Sequence, residues 1–108
     1  MSYKVKTIQP FEKKVQKLFK KYPSLLDDIL ALIQSLKENP RQGNAIGQSC
    51  YKVRLAIKSK RKGKSGGARI ITYVAVIEET VYLLAIYDKS EMATISENDL
   101  NKLLKGLK

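Results

Sequence analysis

The sequence predicts a single α+β domain: a short N-terminal strand, two helices, an antiparallel three-stranded sheet and a C-terminal helix, with the helices on one face of the sheet. Three observations carry that expectation. Apolar residues recur at helical spacing through the first forty residues and again near the C-terminus. In between they alternate with polar residues or run together as β-branched and aromatic stretches. Pro, Gly and Ser mark the changes of period. At 108 residues the chain forms one domain, 1–108, with no repeat or linker to divide it.

The elements follow in order. Tyr3, Val5 and Thr7 alternate with Lys4 and Lys6, the pattern of a short edge strand. Phe11, Val15, Leu18, Phe19 and Tyr22 then form a helical stripe, with Lys13, Lys14, Lys17, Lys20 and Lys21 on its wet side. Pro23 ends that helix, because the residue before a proline resists the α region. Ser24 opens a second helix with Asp27 three residues on, close to a capping box. Leu25, Leu26, Ile29, Leu30, Ile33 and Leu36 are its apolar face, Asn39-Pro40 closes it, and Gly43 to Gly47 reads as a loop.

From Lys52 to Lys58 the alternation is strict: Val53, Leu55 and Ile57 face one way, and Lys52, Arg54 and Lys58 the other. Lys60 to Gly67 is a basic, Gly-containing loop. Arg69–Ile77 and Val81–Tyr87 read as strands joined tightly through Glu78-Glu79-Thr80. Ser96 caps the last helix, with Asp99 following and Leu100, Leu103, Leu104 and Leu107 as its stripe.

Composition narrows the function. Lys plus Arg number 21 against 10 acids, a formal net charge of +11, which points to a polyanionic partner. There is no His, which removes His-based triads and the commonest metal ligand. The single Cys, Cys50, forms no internal disulfide and no Cys-rich zinc site. We therefore expect no metal and no cofactor. No apolar run is long enough for a membrane span and the N-terminus lacks a signal-peptide core, so the expected setting is cytoplasmic.

The cations are concentrated. No acid occurs from Asn39 to Ile77, while eight cations lie between Lys52 and Arg69: Lys52, Arg54, Lys58, Lys60, Arg61, Lys62, Lys64 and Arg69. With Lys60–Gly67 as the hairpin loop, a symmetric register sets Lys58 opposite Arg69 and Arg54 opposite Tyr73. One sheet face then carries Lys52, Arg54, Lys58, Arg69 and Tyr73. Like charges directly opposite destabilise a sheet, and a face built for solubility alone normally mixes signs. Such a face suits an anion. Arg54 and Arg69 can grip a phosphate with paired hydrogen bonds, the lysines act as point charges, and Tyr73 and Tyr87 can stack on unpaired bases. A solvated face, with both tyrosines as ordinary packing, is the plain alternative. Gly63-Lys64-Ser65 does not make a P-loop, because the motif needs Gly where Lys58 stands and no helix follows.

The segment Lys62-Gly63-Lys64-Ser65-Gly66-Gly67-Ala68-Arg69-Ile70-Ile71-Thr72-Tyr73, followed by Tyr82-Leu83-Leu84-Ala85-Ile86-Tyr87-Asp88-Lys89-Ser90-Glu91-Met92, resembles the RelE/ParE toxin superfamily, most closely its HigB-like branch. The lead-in Cys50-Tyr51-Lys52-Val53-Arg54-Leu55 is similar to the first core strand of that superfamily. The resemblance implies a RelE-like fold and the toxin of a type II toxin–antitoxin system. Such a toxin is an mRNA interferase, a ribosome-dependent endoribonuclease that cuts mRNA in the A site of the 30S subunit and inhibits translation. The implied partners are mRNA on the ribosome and a cognate antitoxin, a helix-turn-helix DNA-binding protein. Exposed apolar residues on the first two helices are a candidate seat for a partner helix. The catalytic residues the resemblance implies are Lys52, Arg54, Arg69 and Lys89; Glu91 joins them as a candidate on chemical grounds, and the charge and aromatic pattern gives Lys58, Lys60, Arg61, Lys62, Lys64, Tyr73 and Tyr87 as RNA-binding residues. A ParE-like gyrase inhibitor and a non-catalytic RNA- or ribosome-binding module are the alternatives.

Cleaving RNA through its own 2′-OH needs a base for the hydroxyl proton, positive charge on the phosphorane and an acid for the leaving 5′ oxygen. Arg54 and Arg69 supply the charge. Like-charge crowding favours the neutral amine a base must be, which makes Lys52 or Lys58 the candidate, with Glu91 the carboxylate alternative. Positioning by the ribosome compensates for modest proton transfer, so cleavage of free RNA is expected to be weak.

Overall fold

β-Branched and aromatic residues in the second half of the chain pair into a sheet, and the two N-terminal helices fold against it. The computed structural model describes residues 2–60, 67–91 and 94–107. Strand β1 is Lys4–Thr7, helix α1 Gln9–Lys21, helix α2 Leu25–Glu38, strand β2 Asn44–Gly47 and strand β3 Cys50–Leu55. A 3-10 turn at Lys58–Lys60 follows, then β4 Ala68–Ala75, β5 Thr80–Asp88 and helix α3 Glu97–Lys105. The α+β class and the element order agree with the sequence reading. The sheet differs from it: it is five-stranded and mixed, in the order β1-β5-β4-β3-β2, with β1 parallel to β5.

The expected loop at Gly43–Gly47 is strand β2, an edge strand antiparallel to β3. Gln48 and Ser49 alone connect the two, both with positive φ (54° and 62°), the mark of a type I′ turn. Gly or Asn normally fills such positions, so the hairpin has no sequence signature. Gln48 Nε2 donates to Asn101 Oδ1 at 2.8 Å, tying the turn to α3. At the other hairpin, β4 ends at Ala75 and not at Ile77: Ala75 pairs with Thr80, and Val76–Glu79 form a four-residue turn with Ile77 fully exposed.

The helices do not share one face. Phe11, Val15 and Leu18 of α1 and Leu25, Ile29, Leu32 and Leu36 of α2 pack with Val53, Leu55, Ile70, Leu83 and Ile86 in the main core. Helix α3 covers the opposite face, where Leu100 is buried with Cys50, Ile71, Leu84 and Tyr87. An amphipathic stripe states that a helix is covered on one side; it does not say by which sheet face. Phe19, Leu26 and Leu30, assigned above to the buried stripes, are exposed. Ser24 occupies the α2 N-cap but bonds no helical amide. Its hydroxyl donates to Asp28 Oδ2 at 2.8 Å, and it accepts the Ser59 amide at 2.8 Å. Ser96 does cap α3, accepting the Asp99 amide at 3.1 Å.

These contacts set the register of the central hairpin. The Lys58 amide donates to the buried Asp28 carboxylate at 3.1 Å, which draws residues 58–60 out of the strand and against α2. Strand β3 therefore stops at Leu55, whose partner is Ala68. A Cβ at Gly67 would lie 2.0 Å from the Leu55 carbonyl oxygen, so only glycine permits this approach. The observed pairs are Arg54 with Arg69 and Cys50 with Tyr73, in place of the symmetric register.

Two stability outcomes follow. Gly67→Ala forces the hairpin apart and destabilises the fold by about 1–3 kcal/mol. Ser49→Gly relieves a left-handed residue and stabilises it by about 0.5–1 kcal/mol. Urea unfolding measures both; a Gly67→Ala variant as stable as the parent contradicts the register argument.

Candidate RNA-binding and cleavage site

The register brings three side chains into a row across the sheet. Arg54 on β3 lies directly opposite Arg69 on β4, and Arg69 lies directly opposite Tyr87 on β5. Directly paired residues share a face, with Cβ atoms about 4.5–5.5 Å apart. Arg54 is exposed, whereas Arg69 is 6% exposed and its Nη1 donates to the Ala68 carbonyl at 3.1 Å. Tyr87 is buried against α3, and its hydroxyl has no hydrogen-bond partner among the described residues.

A bulge places Tyr87 there. Thr72 pairs with Leu83 and Ile71 with Ala85, so Leu84 is an extra residue in β5. Without it Arg69 would face Ile86, and Tyr87 would point into the α1–α2 core. Burial pushes the Tyr87 phenol above its ordinary range, with the Arg69 guanidinium opposing that shift. Tyr87 is thus a neutral O–H donor at physiological pH and no base.

The other predicted residues are distributed around this row. Lys52 shares the face two residues along β3 from Arg54, half-buried, between Asn44 and Ile71. Lys89 is exposed just past β5, with its amide bonded to the Gly67 carbonyl at 3.3 Å. Lys58 is exposed, but it belongs to the 3-10 turn and not to the strand, because Asp28 holds its amide. Lys60 ends that turn; its side chain, together with Arg61, Lys62 and Lys64, lies outside the described residues. Tyr73 is on the same face but four residues along β4 from Arg69, or about 13 Å, and its ring stacks on Tyr82 with centroids 6.2 Å apart.

Glu91 is committed elsewhere. Its Oε2 pairs with Lys14 Nζ at 2.6 Å and its Oε1 accepts the Asp88 amide at 3.0 Å. The Lys14 hydrogen bond is the main reason its carboxyl sits below the usual carboxylate range, with burial opposing and the backbone bond assisting. A carboxylate so stabilised is a poor proton acceptor, which weakens the case for Glu91 as base.

Sequence reasoning passed over two buried carboxylates that hold the site from behind. Asp28 fixes the turn at Lys58 and Ser59. Asp88 accepts from Tyr22 Oη at 2.8 Å and from the Ser90 amide and hydroxyl at 3.0 Å each, fixing the turn that carries Lys89. Asp28 had a signal: it falls on the same helical face as Leu25 and Leu32, where a solvated charge does not belong. The buried thiol of Cys50 is pushed up to about 11, so it is unreactive packing. Among the described residues no cluster of His, Cys, Asp and Glu is placed to hold a metal ion, and no helix is long and apolar enough to cross a membrane.

The helix hairpin on one face, α3 on the other and the β1-β5-β4-β3-β2 sheet between them define a RelE-like α+β fold. The fold is similar to that of E. coli RelE: an arginine-to-alanine double mutant in the free state aligns over 100% of both chains with a TM-score of 0.64 and 16% identity. Isolated E. coli RelE aligns over 96% of this chain and 98% of its own, with a TM-score of 0.58 and 20% identity. The intact E. coli RelBE toxin–antitoxin complex aligns over 81% of this chain and 96% of its own, with a TM-score of 0.58 and 21% identity. No family model matches the sequence.

Two measurements check this geometry. Tyr87→Phe removes an unpaired buried hydroxyl, so it leaves stability unchanged or raises it by up to about 1 kcal/mol; a clear loss contradicts the assignment. Because its folded pKa is depressed, Glu91 stabilises the fold above the ordinary carboxylate range and loses that contribution as pH falls through its lower folded value. Lys14→Met therefore moves the Glu91 titration, followed by carboxylate carbon NMR, to higher pH.

Proposed function

We propose that this protein is the toxin of a type II toxin–antitoxin pair, in the manner of HigB-like members of the RelE superfamily, and that it cuts mRNA on the ribosome. The observation that carries the reading is Arg54 set directly opposite Arg69, both within the acid-free stretch from Asn39 to Ile77. Two guanidinium groups carried on directly opposite positions of β3 and β4 can converge on one phosphate.

In the proposed reaction the 2′-OH loses its proton, the 2′ oxygen attacks the adjacent phosphorus, and the P–O5′ bond breaks. The products are a 2′,3′-cyclic phosphate and a 5′-OH. Arg54 and Arg69 stabilise the charge that develops on the phosphorane. Lys52, two residues from Arg54 on the same face of β3, is the candidate base. Lys89, exposed just past β5, is the candidate acid for the departing 5′ oxygen. No metal or cofactor enters the scheme. The strand and turn lysines give sequence-blind, salt-sensitive attraction, and the A site supplies the in-line geometry. The likeness to the RelBE complex supports a cognate antitoxin that silences the protein in the cytoplasm.

Induced expression followed by mapping of mRNA 5′ ends tests the reading: cleavage within translated codons is expected, and growth arrest with intact transcripts and impaired gyrase supercoiling overturns it. On programmed ribosomes, Arg69→Ala lowers cleavage by about 10²–10³-fold while ribosome binding is largely kept. Lys89→Ala also lowers cleavage without unfolding the protein. Equal rates on naked RNA and on ribosomes contradict the ribosome dependence.

A further inference from the structure

At the opposite end of the same sheet face from the arginine row lies a second site of reversed character. A cleft of about 370 Å³ is lined by Gln48, Tyr73, Glu78, Tyr82, Leu104 and Leu107. The Tyr73 and Tyr82 rings are half-exposed and stack at 26°. Glu78, at the exposed β4–β5 turn, accepts the Tyr82 hydroxyl on Oε1 at 2.8 Å, and its Oε2 accepts no hydrogen bond among the described residues. Gln48 donates to Asn101, which leaves its own carbonyl oxygen as a further acceptor.

We propose that this cleft is a protein-docking site that takes an arginine side chain from a partner. The tyrosine faces suit the guanidinium plane, Glu78 and the Gln48 carbonyl suit its N–H fork, and Leu104 and Leu107 suit the methylene stem. Beside the cleft, Ile77 is fully exposed and Val76 half-exposed, an apolar step that a partner segment covers. Glu78 and Glu79 stand together at this end of a strongly basic chain and repel phosphate. Cys50 and Ile71, buried under α3, lie between the cleft and the arginine row on this face, and Tyr73 is four residues along β4 from Arg69. The two ends of the face thus select opposite charges, and this inference stands independently of the RNA-cleavage reading.

Amide NMR of the full chain tests it, with N-acetyl-arginine amide as probe and N-acetyl-citrulline amide as its neutral counterpart. Shifts at Tyr73, Glu78 and Tyr82 are expected with the arginine compound, with citrulline binding weaker by about tenfold or more, as loss of the charge-assisted bonds requires. Glu78→Gln weakens arginine binding by a similar factor while leaving the rest of the spectrum in place. Tyr82→Phe, which releases Glu78 Oε1, retains it. No shift with arginine, equal shifts with citrulline, or stronger shifts of the same residues with guanosine monophosphate overturns the proposal, the last in favour of a nucleobase site.

Discussion

The pairing of Leu55 with Ala68 is the constraint on which the site depends. It requires Gly67, because any side chain there collides with the Leu55 carbonyl. It also requires β3 to end where it does, and that follows from Asp28 and Ser24 holding the Lys58–Ser59 turn against α2. A buried carboxylate that receives a backbone N–H and a hydroxyl is well satisfied, so the turn is firmly placed. With that pair set, Arg54 meets Arg69. A different register would move every side chain along the strand, and a shift of one residue would turn the cations into the core.

The second determinant is the bulge at Leu84. Strand alternation alone would bury Tyr87 among the helices. One extra residue inverts the alternation past that point, so Val81, Leu83 and Ile86 face the main core while Leu84 and Tyr87 face α3. The same strand end carries Asp88, whose bonds to Tyr22 and Ser90 hold the Lys89 turn. Electropositive groups on one face are thus positioned by carboxylates reached from the other. Preorganisation of this kind lets fixed charge stabilise a transition state without rearrangement at the moment of reaction.

Much of the fold was legible because period reports burial. Both N-terminal helices, four of the five strands and the α3 cap follow from spacing and from Pro23, Asn39-Pro40 and Ser96. What was not legible depends on tertiary contact. Strand β2 is four residues long and turns through Gln48-Ser49, which carries none of the usual hairpin residues. The face covered by α3 is a matter of topology. The misplaced register came from extending the strict alternation through Lys58, where Asp28 overrides strand propensity. The cationic residues were identifiable from the acid-free stretch. Their partners were not, since nothing local marks Leu84 as a bulge or Glu91 as the companion of Lys14.

The central claim is that Arg54 and Arg69 act as one phosphate-binding unit because the register sets them opposite each other. A double-mutant cycle on cleavage of ribosome-bound mRNA tests this most directly. Groups that grip the same phosphate are strongly non-additive, so the account predicts that Arg54→Ala and Arg69→Ala together cost little more than the worse of the two alone. Losses that simply multiply would show that the two arginines act at separate places, and would contradict it.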